Sequence, residues 1–181
     1  MKRIILLTGP PCIGKSSVFH RTVNSLKQKG LKIGGMLSAD IREGGSRVGF
    51  EIMDLSTGQK GWLAHINQFQ GPKISKYTVN LVDLDVLGAS AIVEAIQHGD
   101  VIAIDEVGPM ELSSTAFSAA LVQAIESNKP LLATIHCKSK HPLVENLKGR
   151  PDAEIVHVTY ENRKTLHVGV SEKLTACLVP A

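Results

Sequence analysis

The chain has 181 residues, enough for one domain with a substantial core and too few for two full ones. Hydrophobic residues make up 43% and charged residues 20%, with a formal net charge of +3, the balance of an ordinary globular protein. No run of lysines or arginines concentrates that charge, so nucleic-acid binding is permitted but not indicated, and no apolar stretch approaches a membrane-crossing length.

The opening residues, MKRIILLTG, begin like a signal peptide. Their apolar run of four residues is too short for one, and no small-residue cleavage site follows. Cys12, Cys137 and Cys177 are odd in number and widely spaced, which argues against a disulfide framework. The expectation is a reduced, cytoplasmic protein.

Short apolar runs alternate with longer amphipathic stretches and no internal repeat is found, which predicts an α/β protein with a mostly parallel central sheet flanked by helices. In chain order the pattern predicts a strand over 4–7 and a helix over 15–29, with Gly30 as its C-cap, then a strand over 32–37. Residues 46–65, SRVGFEIMDLSTGQKGWLAH, alternate apolar and polar around STGQ and read as an added antiparallel hairpin. Residues 66–80 show no clear period and read as an irregular connection. Helices follow over 84–97, 115–126 and 162–177, and strands over 101–104, 131–135 and 154–158. The whole reads as a single domain, 1–181, with a hairpin insertion at about 46–65.

Residues 9–16, GPPCIGKS, fit G-x-x-x-x-G-K-[ST], the phosphate-binding P-loop or Walker A motif. Glycines let successive backbone N–H groups turn inward around a polyphosphate, and the helix that follows points its positive end at the same anion. The expected nucleotide contacts are Gly9, Pro10, Pro11, Cys12, Ile13, Gly14, Lys15, Ser16 and Ser17. Lys15 reaches the β- and γ-phosphates, and the Ser16 hydroxyl ligates Mg²⁺. Cys12 is a thiol set beside Lys15 and a helix N-terminus, a setting that favours reactivity. The alternative is a surface loop before a helix, with Lys15 solvated.

Further on, VIAIDEVGPMEL ends an apolar strand with two adjacent acids, the Walker B arrangement. Asp105 is read as a metal-side carboxylate and Glu106 as the catalytic base that readies a water for the γ-phosphorus. The competing explanation is an acidic turn that only caps the helix near Ser113 and Ser114. Glu111 is a weaker candidate for the same cleft, equally readable as a solvated or capping acid.

With GPPCIGKS, DEVGPMEL, the hairpin segment and TYENRKTL (159–166) together, the chain resembles the small P-loop nucleoside-triphosphatases of thermophilic archaea and bacteria, a family with a human member, the cancer-related nucleoside-triphosphatase. The resemblance runs from Lys2 to about Leu174. It implies a P-loop NTPase fold with an extra strand between the strands that carry the two motifs. It also implies slow, Mg²⁺-dependent hydrolysis of the terminal phosphate of ATP, GTP and other triphosphates, with broad base tolerance.

A charge-neutralising arginine helps any phosphoryl transfer. Arg163 opens the last predicted helix, in a region that the resemblance puts near the base, and is expected at the nucleotide, with a surface salt bridge as the alternative. Arg42 and Arg47 flank a glycine-bearing turn and read as solvated; Arg150 fits a lid or a surface equally well. HCKSKH (136–141) lacks a second ligand pair for zinc and reads as a loop over the edge of the site. Trp62 reads as packing on the hairpin. Two other activities stay open: a kinase that passes the γ-phosphate to a small acceptor, and a nucleotide-dependent switch or nucleic-acid accessory protein.

Overall fold

The computed structural model describes residues 2–136 and 138–178. Among them, one sheet is built from β1 (Ile4–Thr8), β2 (Ile33–Glu43), β3 (Ser46–Asp54), β4 (Lys60–His65), β5 (Lys73–Ile74), β6 (Tyr77–Val79), β7 (Val101–Val107), β8 (Leu131–Ile135) and β9 (Ala153–His157). The helices are α1 (Lys15–Gln28), α2 (Leu81–Asp83), α3 (Ser90–His98), α4 (Thr115–Glu126), α5 (Pro142–Gly149) and α6 (Leu166–Ala176), with a π-helical segment, Leu84–Ala89, joining α2 to α3.

The strand order is β5-β6-β4-β3-β2-β7-β8-β1-β9. β2, β7, β8, β1 and β9 pair in parallel, whereas β3, β4, β6 and β5 extend the sheet by antiparallel pairing. The sheet is therefore mixed, and the expectation of a mostly parallel one is corrected. The cause lies in β2, which runs past its expected end at residue 37 and turns back into β3 through Gly44 and Gly45. Both glycines have positive φ, 54° and 80°, as a tight hairpin turn requires. The segment read as irregular supplies β5 and β6, which close that end of the sheet.

β8 lies between β1 and β7, the extra-strand arrangement that the resemblance implied. β1 reads as an unbroken apolar run because both its faces are covered. Ile4 and Leu6 pack with α3, α4 and α5 on one side, and Ile5 and Leu7 with α1 and α6 on the other. α1 stops as predicted: Gly30 takes φ 82°, and the Gly30 and Leu31 N–H groups donate to Lys27 and Leu26 carbonyls. α6 begins later than predicted. Thr159 and Asn162 exchange side-chain-to-backbone hydrogen bonds, at 2.8 and 3.3 Å, and hold the preceding residues in turns. α5 was not anticipated, although Pro142 at its first turn and the His141 cap are start signals.

Candidate active site

The loop after β1, the N-terminus of α1, the middle of β2, part of β3 and the end of β7 line a cavity of about 590 Å³. The β1–α1 loop forms its floor. Gly9 (φ 151°) and Gly14 (φ 111°) take conformations that L side chains rarely adopt, and Cys12 is held at φ 61°. A β-carbon on Gly9 would also stand 2.9 Å from the Val158 carbonyl oxygen. Gly14 is the N-cap of α1 and has no side chain to satisfy the first N–H groups of the helix, so these remain open to an anion. Lys15 folds back, donating from Nζ to the carbonyls of Gly9 at 3.1 Å and Pro10 at 3.2 Å. Pro11, Cys12, Gly14, Lys15, Ser16 and Ser17 line the cavity.

The opposite side carries the two acids. β7 gains one residue on β8 between Ile104 and Val107, so Asp105 and Glu106 together oppose Thr134. In a regular pleat neighbouring side chains point to opposite faces; the extra residue lets both acids line the same cavity. The Asp105–Glu106 peptide is cis.

Asp105 is 2% exposed. Thr134 Oγ1 donates to its Oδ1, while Oδ2 is buried with no hydrogen-bond partner among the described residues. Burial pushes its carboxyl above the usual range, offset in part by the Thr134 hydrogen bond and by the nearby Ser16 hydroxyl. A buried carboxylate oxygen without a donor, next to a serine hydroxyl, is a donor set suited to a hard divalent cation. Glu106 is also raised, first by burial and then by the Asp105 charge beside it. Glu111 is buried behind Glu106 and does not line the cavity; its Oε2 accepts the Gly108 N–H at 3.1 Å.

Arg163 comes to the loop but does not line the cavity. Its Nη1 donates to the Ile13 carbonyl at 3.3 Å, and its guanidinium lies 4.8 Å over the Tyr160 ring. Arg150 pairs with Asp152 and Glu126, away from the cavity, and Arg42 is exposed. Arg47, read as solvated, lines the cavity, which corrects that expectation.

His136 lines the rim, His141 caps α5, and Cys137 of the same segment lies outside the described residues. Trp62 is half exposed on β4, edge-on to His65.

Ser38, Asp40 and Phe50 also line the cavity and were not foreseen, because only strand pairing brings β2 and β3 over the loop. His20 did carry a signal: it sits four residues after Ser16 on the same face of α1. A second depression, of about 480 Å³, is lined by Lys27, Leu31, Glu94 and His98 at the far end of α1. That end is ~20 Å along the helix from the glycine loop.

The glycine loop before the first helix and the two acids that end β7 thus meet in one cavity. The sequence matches the NTPase family over residues 4–170, and the chain belongs to that family. Nucleoside-triphosphatase THEP1 of Thermofilum pendens is 43% identical over 89% of each chain. Its counterpart in Methanosarcina acetivorans is 44% identical over 94% of each. The crystal structure of THEP1 from Aquifex aeolicus superposes with a TM-score of 0.84 at 27% identity, covering 94% of this chain and 98% of that one. The solution structure of a human cancer-related nucleoside triphosphatase gives 0.81 at 31% identity, covering 96% and 98%.

Proposed function

We propose that this protein is a Mg²⁺-dependent nucleoside-triphosphatase with a P-loop fold, releasing the terminal phosphate of ATP, GTP and other triphosphates slowly and with broad base tolerance. The carrying observation is that the glycine loop and both acids of β7 line one cavity. Family membership supports hydrolysis as the activity. The reading takes residues 1–181 as one domain, supported by a sheet continuous from β5 to β9.

In this reading the open N–H groups at the start of α1 grip the β- and γ-phosphates. Lys15 exchanges the carbonyls of Gly9 and Pro10 for phosphate oxygens. Ser16 and Asp105 are the residues that would hold Mg²⁺, and the partnerless Oδ2 of Asp105 supports the assignment. When bound, the ion neutralises charge on the phosphate oxygens.

Glu106 accepts a proton from the water that attacks the γ-phosphorus; the bond to the bridging oxygen breaks and nucleoside diphosphate leaves. Burial makes Glu106 a stronger base than a solvated carboxylate, which suits that task. The reading keeps Arg163 as a nucleotide contact on the Tyr160 side, supported by its bond to the Ile13 carbonyl.

Phosphate release from each of four triphosphates, by purified protein with and without Mg²⁺ and with no acceptor, tests the reading. Glu106→Gln should retain nucleotide binding and lose about 10²–10⁴ in turnover, whereas Lys15→Ala should weaken both. Nucleoside diphosphate formed only when a small acceptor is added, with the phosphate carried on that acceptor and none set free, would indicate a kinase instead.

A further inference from the structure

β2 overhangs the site. Its last parallel partner on β7 is Asp105, opposite Leu37, and the residues beyond run on over the cavity, paired only with β3. In an unbroken pleat Arg47 and Phe50, three residues apart on β3, would point to opposite faces. The β2–β3 register slips by one residue between Ile41 and Arg42, so Arg47 takes the place opposite Arg42 that Val48 would otherwise hold. Cross-strand partners share a face, so this slip turns Arg47 to the side of Asp40 and Phe50. All three line the cavity with Lys15 and Glu106.

The Arg47 guanidinium lies 5.2 Å from the Phe50 ring centroid. Its Nη2 reaches Asp40 Oδ2 at 2.8 Å, while its Nε is buried and has no acceptor among the described residues. Arg42 Nη2 meets the same Asp40 oxygen at 3.1 Å from the exposed end of the hairpin.

We infer that Arg47 is a further catalytic residue, an arginine supplied by the chain itself that donates to the γ-phosphoryl oxygens as charge builds on them. The inference rests on the triphosphatase reading. Arg47 moves no proton; it stays a cation throughout, and water, phosphorus and Glu106 exchange bonds as already described. Two features fit it for the task. Its Nε–H already lacks a partner, so a phosphoryl oxygen satisfies a group that the protein leaves unsatisfied. Asp40, in turn, keeps Arg42 when Arg47 turns inward, so release does not strand a carboxylate.

The test compares wild type with Arg47→Ala and Arg47→Lys. Arg47→Ala should lose about 10²–10³-fold in kcat, with ATP affinity changed by less than about tenfold and with the thermal melt confirming a folded protein. Added guanidinium ion should restore part of the loss, which a purely structural role cannot explain. Mg²⁺-dependent trapping of ADP with aluminium fluoride should fail in Arg47→Ala while ADP alone still binds. Arg47→Lys keeps the charge without the fork and should fall between the two.

If wild type releases phosphate and folded Arg47→Ala matches it within threefold, the inference is overturned and the triphosphatase reading stands. Should wild type itself release no phosphate from any triphosphate, both fall together.

Discussion

An oxygen of Glu106 and an oxygen of Glu111 each lie 3.0 Å from the point where a β-carbon on Gly108 would stand. The glycine lets the two carboxyls approach across the turn that ends β7, and the Gly108 N–H anchors the inner one. Glu111 is thereby buried beside a second acid, and burial first, then the Glu106 charge, pushes its pKa up to about 8.

The first prediction concerns stability against pH. Unfolded, Glu111 ionises near its ordinary value of 4.5; folded, it keeps its proton to about 8. Between those values the unfolded state binds fewer protons, so stability falls as pH rises and the loss is complete above the folded pKa. Glu111→Gln has the same shape and can still accept from Gly108. It should melt close to wild type at pH 5 and be more stable at pH 9, by on the order of 3 kcal/mol. Thermal melts across that range check it, and an unchanged gap between the two proteins would count against a buried neutral acid.

A second prediction follows from the bond between Thr134 and Asp105. Thr134→Val keeps the volume but removes the hydroxyl that donates to Asp105 Oδ1. The buried carboxylate then loses a contact that favours its charged form. Mg²⁺ affinity in the presence of nucleotide should drop about 10–100-fold, measured by calorimetry. Equal affinity in both proteins would remove Asp105 from the metal.

Cys12 supplies a third. It is exposed, lines the cavity and sits in the middle of the glycine loop. Alkylation with a bulky maleimide should abolish turnover, and prior saturation with nucleotide should slow the modification at least tenfold. Cys177 lies beyond α6, outside the cavity lining, so Cys177→Ala should respond as wild type does. Full activity after modification of Cys12 would show that the thiol stands clear of the phosphates.

Much of the architecture was legible because its signals are local. β1 and β8 announce themselves as short apolar runs, since strands covered on both faces need no polar alternation. α1 is bracketed by Gly14 and Gly30, whose positive φ angles are needs of the chain at those points alone. The helix between α2 and β7 was recognised from its period, although the π-helical turns at Leu84–Ala89 and the start at Leu81 were not. β5, with two residues, and β6, with three, are too short to show a period and exist only because β4 offers β6 an edge.

The same division runs through the candidate site. Sequence alone determined the glycine loop, Lys15, Ser16 and the adjacent acids, because spacing along a single chain segment is enough to place a glycine turn before a helix or to end a strand in carboxylates. Tertiary structure decided that the sheet is mixed, that Glu111 is buried behind Glu106, that Arg163 reaches the Ile13 carbonyl of the loop, and that Arg47 faces the cavity. The physical reason is register. One extra residue in β7 and a one-residue slip of β3 against β2 re-aim the side chains that follow, and pairing between distant strands fixes both.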